Sequence, residues 1–448
     1  MAEIAPFRGL RYNQEIIPDL AEVVIPPYDV ISPEEQAAFH NRNPYNMIRL
    51  ELGASNPGDT AENNAHSRAA AFMKQWEHQR ILVRNPKPTI YHYELDYANG
   101  HGPRMTRKGF ICVLRLEEFS RGGVRPHEKT FQAIKDERLS LMLASNANLS
   151  PVFALYSDPG ETVQAALASG AKAPPAISFT DHANRTHRVW LVTEREVLNE
   201  VRKLMEDKAI FIADGHHRYE TALNFRNVMR ARHGSDNPEA TCEYIMMYLS
   251  DMDQGGLTIL PTHRLLRNLG KWGLGEFMER SAALFDVQRF ESANGCELKW
   301  KSAIEAGGGR EDITIGFYCE EAGCVYVLTA KRNEVSSRLE QKGIPAPLRS
   351  LDVVVLDQIV LRDLLGLSDE FLGSEHNISF MHNFSEALGA VKSGKFDAGF
   401  FINPTRIGQV RDVATAGLIM PHKSTYFYPK VISGLVINPL SPNEDITW

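Results

Sequence analysis

The 448-residue sequence lacks the features that mark secreted, membrane and metal-binding proteins. Its five cysteines are an odd number without the paired spacing of a disulfide framework, which predicts reduced thiols. Cys319 and Cys324 flank a hairpin turn, but a zinc site there would lack its second pair of ligands, so no metal is expected. No apolar run approaches the roughly 18 residues that a membrane span needs. The start, MAEIAPFRGLRY, has no secretory signal pattern, so we expect a cytoplasmic protein with no membrane partner.

Positive charge is also in short supply. The chain has 49 Lys and Arg residues against 56 Asp and Glu residues, a net charge of -7 at pH 7. Proteins that coat nucleic acid need an excess of cations, so no nucleic-acid partner is expected. The chain is too long for one ordinary hydrophobic core. We therefore expect two lobes, residues 1–240 and residues 241–448.

What the sequence does contain is an alternation of strand and helix patterns, which predicts a mixed α/β fold. Ser32, with Glu35 three residues on, forms a capping box that starts a helix. Residues 187–232 have the order strand, helix, strand, helix and are the most α/β-like part of the chain. Near the C-terminus, Thr405 is predicted to cap a helix that follows the strand AGFFI.

The segment IFIADGHHRYETAL, residues 210–223, carries the most chemistry. On a 3.6-residue helical period, Arg218, Ala222, Phe225 and Met229 fall on one stripe, so Arg218 begins the buried face. A guanidinium beside the amide groups of a helix N-terminus favours an anion there. Gly215 lets an oxyanion approach the backbone closely. The pattern predicts a phosphate site formed by Asp214, Gly215, His216, His217 and Arg218.

A structural interpretation of the same segment remains open. Asp214 could cap the helix and pair with Arg218, while His216 and His217 lie at the surface as ordinary residues. A zinc site is less favoured, because adjacent histidines point roughly 100° apart on a helix.

Two loops offer candidate catalytic groups. PHEKT places His127 and Glu128 after a Gly-Gly turn, where Glu128 could accept a proton from a substrate hydroxyl. Asp29 follows two prolines that hold the backbone extended, which suits a catalytic acid or base. A solvated loop and a structural turn are the respective alternatives.

Two further segments offer phosphate contacts. Lys135 and Arg138 in KDERL are three residues apart and can share a helix face. Lys423, Ser424 and Thr425 in MPHKSTYFYPK can reach a phosphate if the segment turns towards it. An exposed helical turn and a structural turn remain the alternatives.

The segment GHHRYETAL resembles the phosphate-binding box of the ParB/sulfiredoxin-like superfamily, which includes partition proteins, sulfiredoxins and the archaeal ADP-dependent free serine kinase. The last of these is the most similar, through its D-G-H-H-R pattern. The whole chain is similar to the bacterial family DUF1015, named for its lack of an assigned function. The matching segments span residues 26–430 and are PPYDVIS, PHEKT, KDERL, ANLSPVFALY, ADGHHRYETAL and KSTYFYPK. His422 stands where the family pattern has Pro or Gln, so no role is expected for it.

The resemblance implies a ParB/sulfiredoxin-like nucleotide-binding lobe joined to a second α+β lobe. It implies a kinase that uses ATP or ADP with Mg²⁺ to phosphorylate a small-molecule hydroxyl such as that of free L-serine. A nucleotide-binding regulator without turnover is the alternative. Sulfiredoxin chemistry is not expected, because His216 stands where its reactive cysteine would be. The expected partners are a nucleotide and a small substrate, with a homo-oligomer possible.

Overall fold

The computed structural model describes residues 3–100, 102–233, 237–270, 272–291, 296–322 and 324–446. The chain divides into two compact units. The first unit comprises Met1–Pro126, Thr130–Leu257 and Pro429–Trp448, and the second comprises His127–Lys129 and Thr258–Tyr428. These units differ in extent from the two expected lobes, since the change falls after residue 257 and the C-terminal segment returns to the first unit.

The first unit is built on a mixed sheet. The strands of the first unit are β1 (Ile4–Ala5), β2 (Leu10–Tyr12), β3 (Leu82–Arg84), β4 (Ile90–Ala98), β5 (Arg104–Arg115), β6 (Val124–Arg125), β7 (Ala147–Asn148), β8 (Val152–Tyr156), β9 (Ile177–Thr180), β10 (Thr186–Val192), β11 (Ile210–Asp214), β12 (Tyr244–Asp251) and, late in the chain, β21 (Asn438–Pro439). Of these, β2 pairs with β3 and β7 pairs with β21, outside the main sheet. Its helices are α1 (Pro33–Arg42), α2 (Ile48–Glu51), α3 (Ala65–His78), α4 (Gln132–Ser145), α5 (Thr162–Gly170), α6 (Arg195–Met205) and α7 (His216–His233).

The main sheet has the strand order β6-β11-β8-β12-β5-β4-β10-β9, with β1 also beside β5. The pairs β12–β8 and β11–β6 are parallel, whereas β4–β5 and β10–β4 are antiparallel. The mixed α/β prediction is therefore confirmed. The order also shows that β10 and β11, which are consecutive along the chain, are not neighbours in the sheet.

One face of this sheet forms a hydrophobic core of the first unit. Alternate residues of β5 point to this face, as the two-residue period of a strand requires. The β5 residues of this core are Phe110, Cys112 and Leu114. They pack with apolar residues of α5, α6 and α7, namely Val163, Leu167, Leu198, Val201, Tyr219 and Ala222. Burial of this apolar surface, at about 25 cal/mol per Å², holds α7 against the sheet.

The second unit is a six-stranded antiparallel sheet with the order β15-β17-β16-β19-β14-β18 and a separate β13–β20 pair. Its strands are β13 (Thr258–Leu260), β14 (His263–Leu266), β15 (Phe285–Glu291), β16 (Thr314–Cys319), β17 (Cys324–Ala330), β18 (Ile378–Met381), β19 (Ala398–Ile402) and β20 (Tyr426–Tyr428). Its helical segments are α8 (Leu274–Leu284), α9 (Cys296–Gly309), α10 (Arg332–Gln341), α11 (Ala346–Arg349), α12 (Asp352–Val355), a π-helical stretch (Leu356–Leu364), α13 (Asp369–Leu372), α14 (Phe384–Lys392) and α15 (Ile407–Thr415).

The local helix signals give one confirmed and one wrong prediction. The Ser32 capping box is confirmed, because the Glu35 amide donates to the Ser32 hydroxyl and the Glu35 carboxylate accepts from the Ser32 amide. Thr405 does not cap α15, because the N-cap residue is Arg406. The Thr405 hydroxyl instead donates to the Ser424 carbonyl at 2.8 Å. The Thr405 hydroxyl, which the local pattern assigned to the helix, is thus bonded to a residue 19 positions away in the chain.

The half-buried Asp352 should make stability depend on pH. Burial raises its pKa to about 7 from an ordinary 3.8, although hydrogen bonds from Asn403 oppose the shift. Because the folded pKa is the higher one, this contribution to stability is present below about pH 4 and is lost as the pH rises to about 7. We expect Asp352→Asn to raise the free energy of unfolding at pH 8 by about 1–2 kcal/mol, a value reduced for partial solvation.

Urea unfolding of the wild type and the Asp352→Asn variant at pH 4 and pH 8 measures this effect. Asp286→Asn, at an exposed position of β15, is the matched control and should change stability little at either pH. A gain from Asp352→Asn that is as large at pH 4 as at pH 8 would rule out the ionisation of Asp352 as its cause.

Candidate functional site

The segment from β11 to α7 forms the turn that the sequence singled out. Gly215 connects them with φ at +92°, a left-handed conformation that favours glycine. The predicted stripe is confirmed, since Arg218, Ala222, Phe225 and Met229 are all buried. Arg218 therefore lies at the start of the buried face, at the positive end of the helix dipole.

The Arg218 guanidinium is held by groups of the first unit. Its Nη2 lies 2.6 Å from Asp214 Oδ2, and its Nη1 donates to the Pro151 carbonyl. The other carboxylate oxygen of Asp214 pairs with the Lys430 ammonium. Burial alone lowers the pKa of Arg218, but nearby acidic groups, Asp214 foremost, outweigh it and raise that pKa. One buried carboxylate is thus shared by two buried cations.

The two histidines of the box differ in their surroundings. His216 is 5% exposed, so it is not a surface residue. His217 is half-buried, and its Nε2 accepts a hydrogen bond of 2.9 Å from the Phe131 amide. The His217 ring also stacks on the Phe131 ring, with centroids 6.0 Å apart. The structural interpretation is therefore right about the Asp214–Arg218 pair, but it is wrong about two surface histidines.

The two cations of KDERL lie on α4, which packs against α7. Lys135 Nζ contacts the Glu220 carboxylate on α7 at 2.7 Å. Arg138 is buried, pairs with Glu137 and donates from Nη1 to the Glu51 carbonyl at 2.8 Å. Both cations are thus paired with carboxylates of their own unit.

Asp29 lies on a short 3-10 turn, Tyr28–Val30, and is exposed. It still acts on the buried cluster, because it is one of the negative groups that raise the pKa of Arg218. The neighbouring Tyr28 ring lies beneath the Arg138 guanidinium, 4.3 Å from ring centroid to Cζ. The turn therefore belongs to the same electrostatic environment as the α7 N-terminus.

The PHEKT residues belong to the second unit. His127 is buried, and its Nε2 lies 3.0 Å from the Thr425 hydroxyl. Glu128 is half-buried, and its Oε1 accepts from the same hydroxyl at 3.5 Å. Thr425 thus joins two of the three candidate catalytic residues.

Lys423 and Ser424 lie next to this group in the second unit. Lys423 adopts a φ of +55°, and its carbonyl accepts from Arg264 Nη2 at 3.1 Å. The Ser424 hydroxyl donates to the Pro421 carbonyl at 2.6 Å, so it serves the turn itself. Burial lowers the pKa of Arg264 to about 10, and Asp357 and Glu128 oppose the shift.

Sequence reasoning missed four polar residues that the fold brings to these clusters. They are Glu51, Thr221, Arg264 and Lys430. Lys430 lies within KSTYFYPK, the segment already quoted for its family resemblance, so a signal existed for it. Glu51 ends a four-residue helix in an ordinary-looking segment, and no local pattern indicates its burial.

The described residues contain neither a metal-binding cluster nor a membrane-spanning helix. Within the described ranges, no group of three or more His, Cys, Asp or Glu side chains could hold a metal ion. Among the helices that the structure describes, none combines the length and the apolar character needed to cross a bilayer.

Comparison with solved structures finds distant similarities. A free serine kinase in complex with AMP has a TM-score of 0.31 and 12% identity, covering 68% of this chain and 83% of that one. A mutant free serine kinase in complex with ADP has a TM-score of 0.32 and 12% identity, covering 68% and 84% of the two chains. SbnI from Staphylococcus aureus, with a C-terminal truncation, has a TM-score of 0.35 and 10% identity, covering 75% and 91%. Similarity at this level does not assign an activity.

Comparison of sequences gives a clear family but no described activity. No curated protein matches the chain. The profile of DUF1015, described as a protein family of unknown function, matches residues 4–354. This range includes the PPYDVIS, PHEKT, KDERL and ADGHHRYETAL segments. The chain therefore belongs to the DUF1015 family.

Proposed function

We propose that the protein is a nucleotide-dependent phosphotransferase that phosphorylates the hydroxyl of a small molecule such as free L-serine. The observation that carries the proposal is the pair of buried cations, Arg218 and Lys430, that share the carboxylate of Asp214 at the N-terminus of α7. Both cations contact this carboxylate at the end of the helix where the dipole is also positive. A phosphate group complements both the cations and the dipole.

In this reaction the substrate hydroxyl oxygen attacks the terminal phosphorus of the nucleotide. A new O–P bond forms, the bond to the nucleotide's bridging oxygen breaks, and the hydroxyl proton passes to a carboxylate. Glu128 and Asp29 are the two candidates for that carboxylate. The cations at α7 stabilise the charge on the transferring group, which is the main contribution a protein makes to phosphoryl transfer.

A Mg²⁺ ion would neutralise phosphate charge when bound. It commonly keeps several waters and binds through phosphates with one or two carboxylates. If Glu128 is the base, the carboxylate of Asp29 would be available as a protein ligand for the ion, because it is exposed to solvent and interacts electrostatically with the buried Arg218.

Turnover tests the proposal directly. We expect the full-length protein with ATP or ADP, Mg²⁺ and L-serine to form a phosphate ester, detected by ³¹P NMR and mass spectrometry. A panel of other small alcohols tests the acceptor. Nucleotide binding by calorimetry without any product would favour the regulator instead, and absence of both binding and product would remove the proposal.

Charge-removing variants identify the base. We expect Glu128→Gln to lower kcat by about 10²-fold or more, the usual contribution of a general base, while nucleotide affinity stays unchanged. Asp29→Asn is tested in parallel, since only the true base should show this pattern. Glu334→Gln, at an exposed position of α10, is the control. If Glu128→Gln loses nucleotide affinity as strongly as it loses kcat, Glu128 is excluded as the base.

A further inference from the structure

The first unit contains a cavity of about 40 Å³ beside α4 and α7. At about 10–15 Å³ per water, it has room for roughly three water molecules. Sites for drug-sized ligands span about 300–1,000 Å³, so a nucleotide does not fit here. The polar residues that line the cavity are Glu51, Arg138, Asn148, Ser150, Arg218 and Thr221, and the remainder are mainly apolar.

Two polar atoms of this lining have no hydrogen-bond partner within the described part of the chain. They are Oε2 of Glu51 and the hydroxyl of Thr221, on residues that are 3% and 0% exposed. A buried polar group left without a partner costs about 1–3 kcal/mol, so such groups are normally paired. Two of them at one cavity indicate that a hydrogen-bonding molecule belongs there.

The charges around the cavity restrict that molecule. Glu51 Oε1 accepts from the Ser150 hydroxyl at 3.0 Å and lies 3.7 Å from Arg138 Nη1. Arg218 lines the same space and interacts electrostatically with Glu51. Each guanidinium also pairs with a carboxylate outside the lining, Arg138 with Glu137 and Arg218 with Asp214. Within the lining itself, a simple anion faces the Glu51 carboxylate, and a simple cation faces the two guanidinium groups. A ligand that carries both charges complements the whole lining.

We propose that this cavity binds the head group of a small α-amino acid. Its ammonium group donates to Glu51 Oε2 and to the Thr221 hydroxyl, and its carboxylate faces the guanidinium groups of Arg138 and Arg218. The cavity's role as the acceptor site rests on the proposed phosphotransferase function, whereas the binding itself requires no nucleotide and no turnover.

Calorimetry with defined ligands tests the two charges separately. L-serine and glycine should bind the full-length protein. 3-Hydroxypropionate, which lacks the ammonium group, and ethanolamine, which lacks the carboxylate, should each bind at least about tenfold more weakly, because each loses a charge-assisted hydrogen bond. Equal binding of 3-hydroxypropionate and L-serine would overturn the proposal, and so would failure of both amino acids to bind.

Variants locate the binding in this cavity. Glu51→Gln keeps the side-chain size but removes the charge and should weaken L-serine binding roughly 10- to 100-fold. Thr221→Val should weaken it less, and Thr221→Ser should restore it. Glu15→Gln, at an exposed position of the same unit, should have no effect. Unchanged affinity in both Glu51→Gln and Thr221→Val would place the ligand elsewhere.

The remaining outcomes separate this inference from the proposed function. Circular dichroism melts establish whether each variant folds. If Glu51→Gln does not fold, the L-serine affinities of Thr221→Val and Thr221→Ser decide whether the ligand binds in this cavity. Amino-acid binding that responds to these variants, without any nucleotide binding or product, would support the cavity and remove the phosphotransferase. Nucleotide turnover on an acceptor whose KM is the same in the wild type and in both variants would support the phosphotransferase and remove the cavity as the acceptor site. A crystal structure grown with L-serine that holds only water here would overturn the inference.

Discussion

Replacing Arg218 by alanine is expected to lower the free energy of unfolding by about 3 kcal/mol. Loss of one partner from a buried ion pair costs about 3–5 kcal/mol, because the other charge stays buried. The lower end applies, since Lys430 continues to pair with Asp214. The Pro151 carbonyl also loses the hydrogen bond that Arg218 donates to it. Under the proposed function, nucleotide affinity should fall by at least about tenfold as well.

Urea unfolding and nucleotide calorimetry measure these two losses independently. Arg232→Ala is the matched control, because Arg232 lies on the same helix but is exposed at its last turn. It should change neither quantity appreciably. If Arg218→Ala is as stable as Arg232→Ala, the buried pair does not support the fold. If stability falls but nucleotide affinity does not, Arg218 is structural only.

Replacing Gly215 by alanine should have a comparable effect through the backbone. A non-glycine residue at φ of +92° is strained, at a cost of about 1–3 kcal/mol. An added Cβ would also lie 2.8 Å from Arg218 Nε and 2.9 Å from its Cζ. The guanidinium would have to shift from the position in which it pairs with Asp214. We expect a total loss of about 3 kcal/mol in stability, the strain and the displaced ion pair together.

Gly122→Ala separates these two causes. Gly122 also has a positive φ, +77°, but an added Cβ there meets nothing within 4 Å. It should therefore show the backbone strain alone, about 1 kcal/mol. Denaturant unfolding of both variants gives the difference, which reports the displacement of Arg218. Equal losses in the two variants would mean that the guanidinium relaxes without cost.

Much of the α7 region could be predicted because its signals are local. The 3.6-residue period of the apolar stripe and the φ requirement at Gly215 both act over a few residues. The burial of Arg218 followed from its position on that stripe. The Asp214 partner lies four residues away, within about one helical turn, so it was foreseen as an alternative.

The other partners of the site are distant in sequence, and no local pattern predicts them. Lys430 is 216 residues from the Asp214 that it contacts, and Thr425 is 298 residues from His127. Buried Glu51 accepts a hydrogen bond from Ser150, 99 residues away, and lies 3.7 Å from Arg138 Nη1. Local patterns in a single sequence do not indicate such pairings, because the partners come together only once the chain has folded.

By itself, the sequence determined the family, the mixed α/β class, the Ser32 cap and the buried face of α7. The cap and the buried face depend on spacings within one element, whereas the class depends on the order of strand and helix patterns and the family on short segments along the chain. Only the tertiary structure decided the strand order, the shared carboxylate of Asp214 and the cavity at Glu51. The physical reason is that strand pairing and buried charge compensation join groups from different elements, and their free energy depends on which groups meet in space rather than on which are adjacent in the chain.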